Sequence, residues 1–345
     1  MKESYSIITP PHGSCVDCDG RHQGRINWID WAKAIGIFLV VTGHSHYYCE
    51  HVVPLIFMIH MPLFFVVSGY LFKTSGTLHE LTWRSFRGLV VPYVLYNLLV
   101  SLYWLGVGGL KRALGQPFNW EACVTSPALC TIHGYAVGSF DGPTWFLLAL
   151  VWCKYVCWLL HRGRWWLKVL TVVVWTFVCY FRSQTTASFL FAIDCGMVGF
   201  IWFEIGYLVK QYVRIKHIPW WASAVGIVMG SLICVWVYSQ MGMCNYILCR
   251  TNGVIGIAGT ASGLVAFFSL CHLLSGTLPA VVCHISKASI VVMCLHMPIQ
   301  SVIEAYVHYQ GPACQTLAVD LVLVLLLTAS FPVIRKCVPW LVGGR

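Results

Sequence analysis

Ten stretches of mostly apolar residues recur along the chain, and that recurrence limits the fold more than any other feature. They fall at residues 28–43, 55–72, 88–107, 144–160, 165–181, 189–209, 219–238, 253–274, 281–303 and 315–334. A helix that crosses a bilayer needs about 20 such residues, and in hydrocarbon a helix satisfies its own backbone groups. The architecture these spans predict is all-α: a polytopic transmembrane helical bundle of about ten helices. Composition agrees, since 58% of the 345 residues are hydrophobic and 10% are charged, against about 25% charged in a soluble domain. The first span is short and polar at both ends, so neighbouring helices are expected to shield it.

The basic residues orient this bundle. Of the 22 Lys and Arg, Lys111, Arg112, Arg182 and Arg250 fall in loops on one face, Lys33, Lys154 and Lys287 lie within helices, and the remaining 15 share the other face with both termini. Because Lys and Arg accumulate on the cytoplasmic side, both termini are expected to be cytoplasmic, in a multi-pass protein of the cytoplasmic (inner) membrane. Trp28, Trp165, Trp166, Trp220, Trp221 and Trp340 fall at the inner boundaries, where indoles anchor helices. This explains the net charge of +10 without a nucleic-acid partner, and no basic helix or RNA-binding motif points to one; membrane lipid is the expected surrounding.

Residues 1–25 have no apolar core and so read as a short cytoplasmic tail rather than a signal peptide; residues 336–345 read as a second. Cys15 and Cys18, flanked by His12 and His22, make half a zinc pattern, so no metal site is expected. Cys153, Cys157, Cys179 and Cys234 lie in apolar spans, where a thiol behaves as a small hydrophobe. There is no visible internal repeat and no linker to a second globular domain. The longest loop, about 108–143, faces outward with Phe118, Trp120 and Tyr135, and has the length of a binding lid or of a plain connection.

Polar groups within the spans carry the functional reading, because ionisable side chains in a membrane are expensive and commonly mark function. Asp30 and Lys33 start the first span, His44 ends it, and His60 lies inside the second. A helix rises about 1.5 Å per residue, so Lys33 and His44 sit roughly 16 Å apart along one axis. With alternating helix directions, His44, His60 and His296 share one depth in the outer leaflet. Imidazole suits general-base work near neutral pH, and Gly43 before His44 leaves that ring accessible; the alternative for each is a helix-to-helix hydrogen bond. His46 reads as a loop residue. On the inner side, Arg84 and Arg87 are three residues apart on one helical face, with Lys73 across the loop and Lys33 at the base of the first helix; guanidinium forks match phosphate oxygens. Lys154, Asp194, Glu204 and Lys287 are further embedded charges that need partners, and their pairing is open at this level. Trp145, opening the fourth span, and Trp120 offer flat rings for a sugar face.

Two runs also resemble a known family. The D-x-x-K-x-x-x-I-x-x-V-x-x-G-H-S pattern of Asp30 to Ser45, and H-M-P-L-F-F-x-x-S-G-Y of His60 to Tyr70, look like acyltransferase 3 integral-membrane proteins, closest to the fucose 4-O-acetylase-like branch. Weaker similarity continues through Arg84 to Tyr93, Gly142 to Leu150, Gly199 to Leu208 and Ile285 to Ile299. The resemblance implies a transmembrane acyltransferase domain over residues 26–335. It also implies an acyl-CoA co-substrate, acetyl-CoA first among them, used from the cytoplasm with no bound cofactor, and transfer to a hydroxyl of a cell-surface or lipid-linked glycan. The His after the Gly of the first helix, His44, is implied to be essential, with His60 beside it; Lys33 stands where some relatives carry Arg. Lys33, Arg84 and Arg87 are then the candidate donor-binding groups, and Asp30, Ser68, Trp145 and His296 the candidates for shaping the site or holding the acceptor. Ten helices with embedded charges also describe a transporter or flippase for a sugar or lipid-linked precursor, whose mark would be a repeat. A structural membrane subunit would leave the histidines and inner basic groups unexplained.

Overall fold

The computed structural model describes residues 25–45, 52–134, 142–185, 189–246, 249–306 and 313–343. Cys15, Cys18, His12, His22, His46 and Tyr135, named above, lie outside them. The described residues form twelve α-helices and no strand beyond one isolated bridge between Asn245 and Arg250. In order they are α1 (Asn27–His44), α2 (Val52–Leu71), α3 (Leu78–Ser85), α4 (Val91–Ala113), α5 (Ser126–His133), α6 (Trp145–Arg162), α7 (Trp165–Gln184), α8 (Ile193–Tyr212), α9 (Trp220–Met241), α10 (Gly253–Leu274), α11 (Ala280–Tyr306) and α12 (Ala313–Cys337).

Each of the ten apolar spans is one long helix. Eight of these helices, some with a preceding turn, are long and apolar enough to cross a membrane; α1 and α6 fall short of that measure. The reason is local: α1 carries Asp30, Lys33 and His44, and α6 carries Lys154, His161 and Arg162. Both are shielded instead. The α1 helix packs against α2, α10, α11 and α12, and α6 against α7 and α8. By contrast α7 and α9 turn exposed apolar rows outward, such as Val169, Val173 and Phe177 on α7 and Val228, Leu232 and Trp236 on α9.

Small residues set the closest approaches, as they do where helices pack in lipid. A Cβ on Gly69 of α2 would lie 1.8 Å from Phe203 O, and one on Gly206 of α8 would lie 2.0 Å from Val66 O. The two backbones therefore touch in both directions, and no larger residue fits.

The segment 108–143 differs from the loop expected there. The α4 helix runs on to Ala113, and a π turn at Glu121–Thr125 leads into α5. Two features fold it: Pro127 suits the first turn of a helix, and Gly134, at φ +79°, closes the last. Gly108 then lets Cys123 and Phe118 lie against α4, at 2.5 and 2.9 Å from where a Cβ would be. Cys123 is consequently buried.

The two described ends of the chain are each tied to inter-helix turns of the bundle. Asn27 Nδ2 donates to Ser275 O and Trp31 Nε1 to Thr277 O, while Gly343 packs on Gly88 and Arg87 lies over the Trp340 ring.

Candidate active site

At the C-terminal end of α1, helix geometry gathers the three histidines. The His44 ring centroid lies 6.3 Å from that of His60 and 5.4 Å from that of His296. Phe57 closes a further side, 5.6 Å from His44 and 5.0 Å from His60. His60 and His296 are buried, whereas His44, at the end of α1, is half-buried. Gly43 does not open room for a substrate, as its position suggested. Its missing Cβ is instead filled by α2, with Ile56 Cγ2 3.1 Å away.

The two buried rings are held alike. His60 Nδ1 lies 2.8 Å from Ile56 O, and His296 Nδ1 lies 3.0 Å from Val292 O. A carbonyl only accepts, so Nδ1 carries the ring proton, and each neutral ring presents an unprotonated Nε2. His296 Nε2 is buried without a hydrogen-bond partner among the described residues. Both rings stand in the same tripeptide, His60-Met61-Pro62 and His296-Met297-Pro298. Each proline lacks the N–H that would bond the carbonyl four residues earlier, which loosens the helix beside the ring. That repeated tripeptide was a signal for pairing α2 with α11 at one site.

Sequence reasoning missed the groups that fix the end of α1. Ser45 Oγ donates to Asp320 Oδ1 at 2.8 Å, and Gln300 Nε2 donates to Val41 O and Ser45 Oγ, both at 2.9 Å. All three side chains are buried. They tie the residue after His44 to α11 and α12. An Asp within the apolar span 315–334 was the available sign of such a network, because it needs partners there.

Nearer the chain ends, a cavity of about 480 Å³ opens among α1, α2, α3, α6 and α11. Lys33, Lys73, Arg84 and Lys154 line it, with Ser68, Ser85 and Ser289, and no acidic side chain among the described residues does. It runs deep: Trp158 and Phe146, both in its wall, are twelve residues apart on α6, about 18 Å of helix. Its inner limit includes Phe64 and Met293, which are one helical turn from His60 and His296. The cavity therefore runs from a basic mouth to the underside of the histidine cluster.

Other expected residues lie elsewhere. Arg87 is not in the cavity wall. A π turn at Phe86–Val90 follows α3, and its wider winding rotates Arg87 off the face of Arg84. Its guanidinium stacks between Trp83, at 5.7 Å, and Trp340, at 5.2 Å. Asp30 anchors the start of α1: Arg25 donates to it from Nε at 3.1 Å and from Nη2 at 2.7 Å, and Ser286 Oγ donates at 2.6 Å. Trp145 is 5% exposed, packed edge-on to Phe146, while Trp120 is 66% exposed and packs edge-on with Phe118; Trp145 therefore offers no open ring face to a sugar. Two of the embedded charges find partners far along the chain, Asp194 with Arg182 and Glu204 with His161, each at 2.7 Å. Lys154 takes its place in the cavity wall.

Comparison with known proteins bears on this arrangement. The acyltransferase 3 family model, described as an acyltransferase domain, matches residues 26–334. Nodulation protein NolL of Sinorhizobium fredii is 30% identical over 158 residues, covering 43% of this chain and 39% of that protein, so the match spans well under half of the relative's length. No solved structure matches the chain. The family match begins at the residue before α1 and ends in α12, so the histidine cluster and the basic cavity both lie inside it. On that extent the chain belongs to the acyltransferase 3 family.

Proposed function

We propose that the protein transfers a short acyl group, an acetyl group above all, from cytoplasmic acyl-CoA to a hydroxyl of a cell-surface or lipid-linked glycan, as fucose 4-O-acetylase-like relatives would. One observation carries this reading: the histidine cluster stands one helical turn beyond the inner limit of a deep cavity with a basic mouth. Lys33, Lys73, Arg84 and Lys154 supply the positive charge that the phosphates of acyl-CoA require, and the cavity's length suits a flexible thioester arm. The excess of Lys and Arg at that end supports a cytoplasmic mouth.

The chemistry follows from the rings. A sugar hydroxyl is a poor nucleophile at neutral pH, so a base within hydrogen-bond reach contributes about 10²- to 10⁴-fold. His44, the most accessible of the three, takes the hydroxyl proton as the sugar oxygen bonds to the thioester carbonyl carbon. The C–S bond then breaks, and the leaving thiolate takes the proton back from His44. His60 and His296 present unprotonated Nε2 atoms, so in their neutral forms neither donates to an oxyanion. They are suited instead to accept from, and orient, the His44 ring while it holds the proton.

The test is mass spectrometry of surface glycans from cells with and without the protein. A mass difference of one acyl group identifies donor and acceptor class together, and identical glycan masses would contradict the proposal.

A further inference from the structure

We propose that Cys157, His161 and Glu204 form a divalent-metal site, matched to Zn²⁺, at the seam of α6 and α8. The Cys157 Sγ, a His161 ring nitrogen and a Glu204 carboxylate oxygen lie within 4.8 Å of one another. Cys157 and His161 are four residues apart and so share one face of α6, while Glu204 reaches across from α8, which packs on that face. A sulfur, nitrogen and oxygen donor set suits Zn²⁺, whereas Mg²⁺ and Ca²⁺ take oxygen.

The geometry is close to that of a bound ion. His161 Nε2 and Glu204 Oε1 are 2.7 Å apart, Glu204 Oε2 is buried, and the Cys157 thiol interacts with the same carboxylate. Ligand atoms on one tetrahedral zinc sit about 3.3 to 3.6 Å apart, given bonds of about 2.0 to 2.3 Å, so small side-chain rotations suffice. On binding, the His161–Glu204 hydrogen bond gives way, the ring proton moves to Nδ1, and the thiol passes its proton to water. One thiolate and one carboxylate then neutralise the doubly charged ion, which suits a site at the edge of a bilayer. The fourth position is open to water: His161 and Glu204 are 31% and 20% exposed at their side chains, and the nearby Tyr207 hydroxyl is engaged by Thr74.

A plain His–Glu hydrogen bond between helices does not account for the third donor, the Cys157 thiol, on the same carboxylate. The other group of this kind, Asp194, Cys195 and Cys249, already holds a cation, since the Arg182 guanidinium lies 2.7 Å from Asp194. The proposed ion stands behind the basic cavity, whose wall includes Lys154 and Trp158 of the same helix. The site is independent of the acyl-transfer reading.

Titration of the purified full-length protein in detergent with Co²⁺, followed by near-ultraviolet absorption, tests it. The expected result is a thiolate-to-cobalt band that saturates at one ion per chain, is bleached by Zn²⁺, persists in Cys195→Ser and disappears in Cys157→Ser. Glu204→Gln, which keeps a hydrogen-bonding partner for His161, should weaken Co²⁺ binding at least about tenfold. A missing band, or one that survives Cys157→Ser, would overturn the site. Should Cys157→Ser not fold, an unchanged Co²⁺ affinity in Glu204→Gln overturns it alone.

Discussion

Three histidines separated by as many as 252 positions in the chain meet within ring contact, and their meeting was legible because helices in a membrane have known lengths and alternate in direction. Depth along each helix then follows from counting residues. What could not be counted was winding. Arg84 and Arg87 share a face only if the helix is regular, and the π turn between α3 and α4 separates them. The consequence is measurable. Charge-assisted contacts to phosphate contribute about 1.5 to 3 kcal/mol each, so Arg84→Ala should raise the apparent KM for acetyl-CoA about tenfold or more. Arg87→Ala should leave that KM unchanged and cost about 0.5 to 1 kcal/mol of stability through lost stacking on Trp83 and Trp340. Steady-state kinetics and thermal melting of both variants check the assignment, and the reverse pattern would return Arg87 to the donor site. Asp320 and Gln300 were illegible for another reason: a buried polar side chain declares that it has a partner, but not which helix supplies it. The same holds for Arg182 with Asp194 and His161 with Glu204.

Among the elements, α1 and α6 fail the usual measure of a membrane span because they carry ionisable side chains, and α2, α8 and α11 hide the polar groups that result. The junction of α2 with α8 is the least tolerant place in the bundle. Overpacking a core typically costs about 1 to 3 kcal/mol, and Gly69→Ala drives a methyl group into the Phe203 backbone carbonyl, where no side chain can move aside. We expect a lower melting temperature or failed insertion for Gly69→Ala, and near-normal melting for Gly106→Ala, which meets nothing within 4 Å. Equal melting of the two would mean that α2 and α8 pack differently. Element positions were readable from hydropathy to within a few residues, but the folding of 108–143 was not. Its helix depends on Gly108 receiving Cys123 and Phe118, a tertiary fit with no periodic signature.

For the whole molecule, the proposed transfer takes acyl-CoA from one end and the acceptor from the other, so sidedness is part of the proposal. Cys337, exposed at the end of α12, should resist a membrane-impermeant maleimide in intact cells, while a Trp120→Cys variant, at a position 66% exposed at the opposite end, should react; the reverse labelling would invert the topology. Cys123, by contrast, is buried and is no reporter of the outer face. The carrier alternative predicted a repeat, and the fold offers a different reason for its embedded charges: a deep basic cavity leading to three imidazoles inside an acyltransferase family match. Lys33 and His44, roughly 16 Å apart on α1, join the two ends. The most direct measurement is turnover and acetyl-CoA binding by purified His44→Ala in lipid bilayers. The account predicts a folded protein that binds acetyl-CoA as the wild type does but loses at least about 100-fold in kcat. Near-normal turnover by His44→Ala would contradict it.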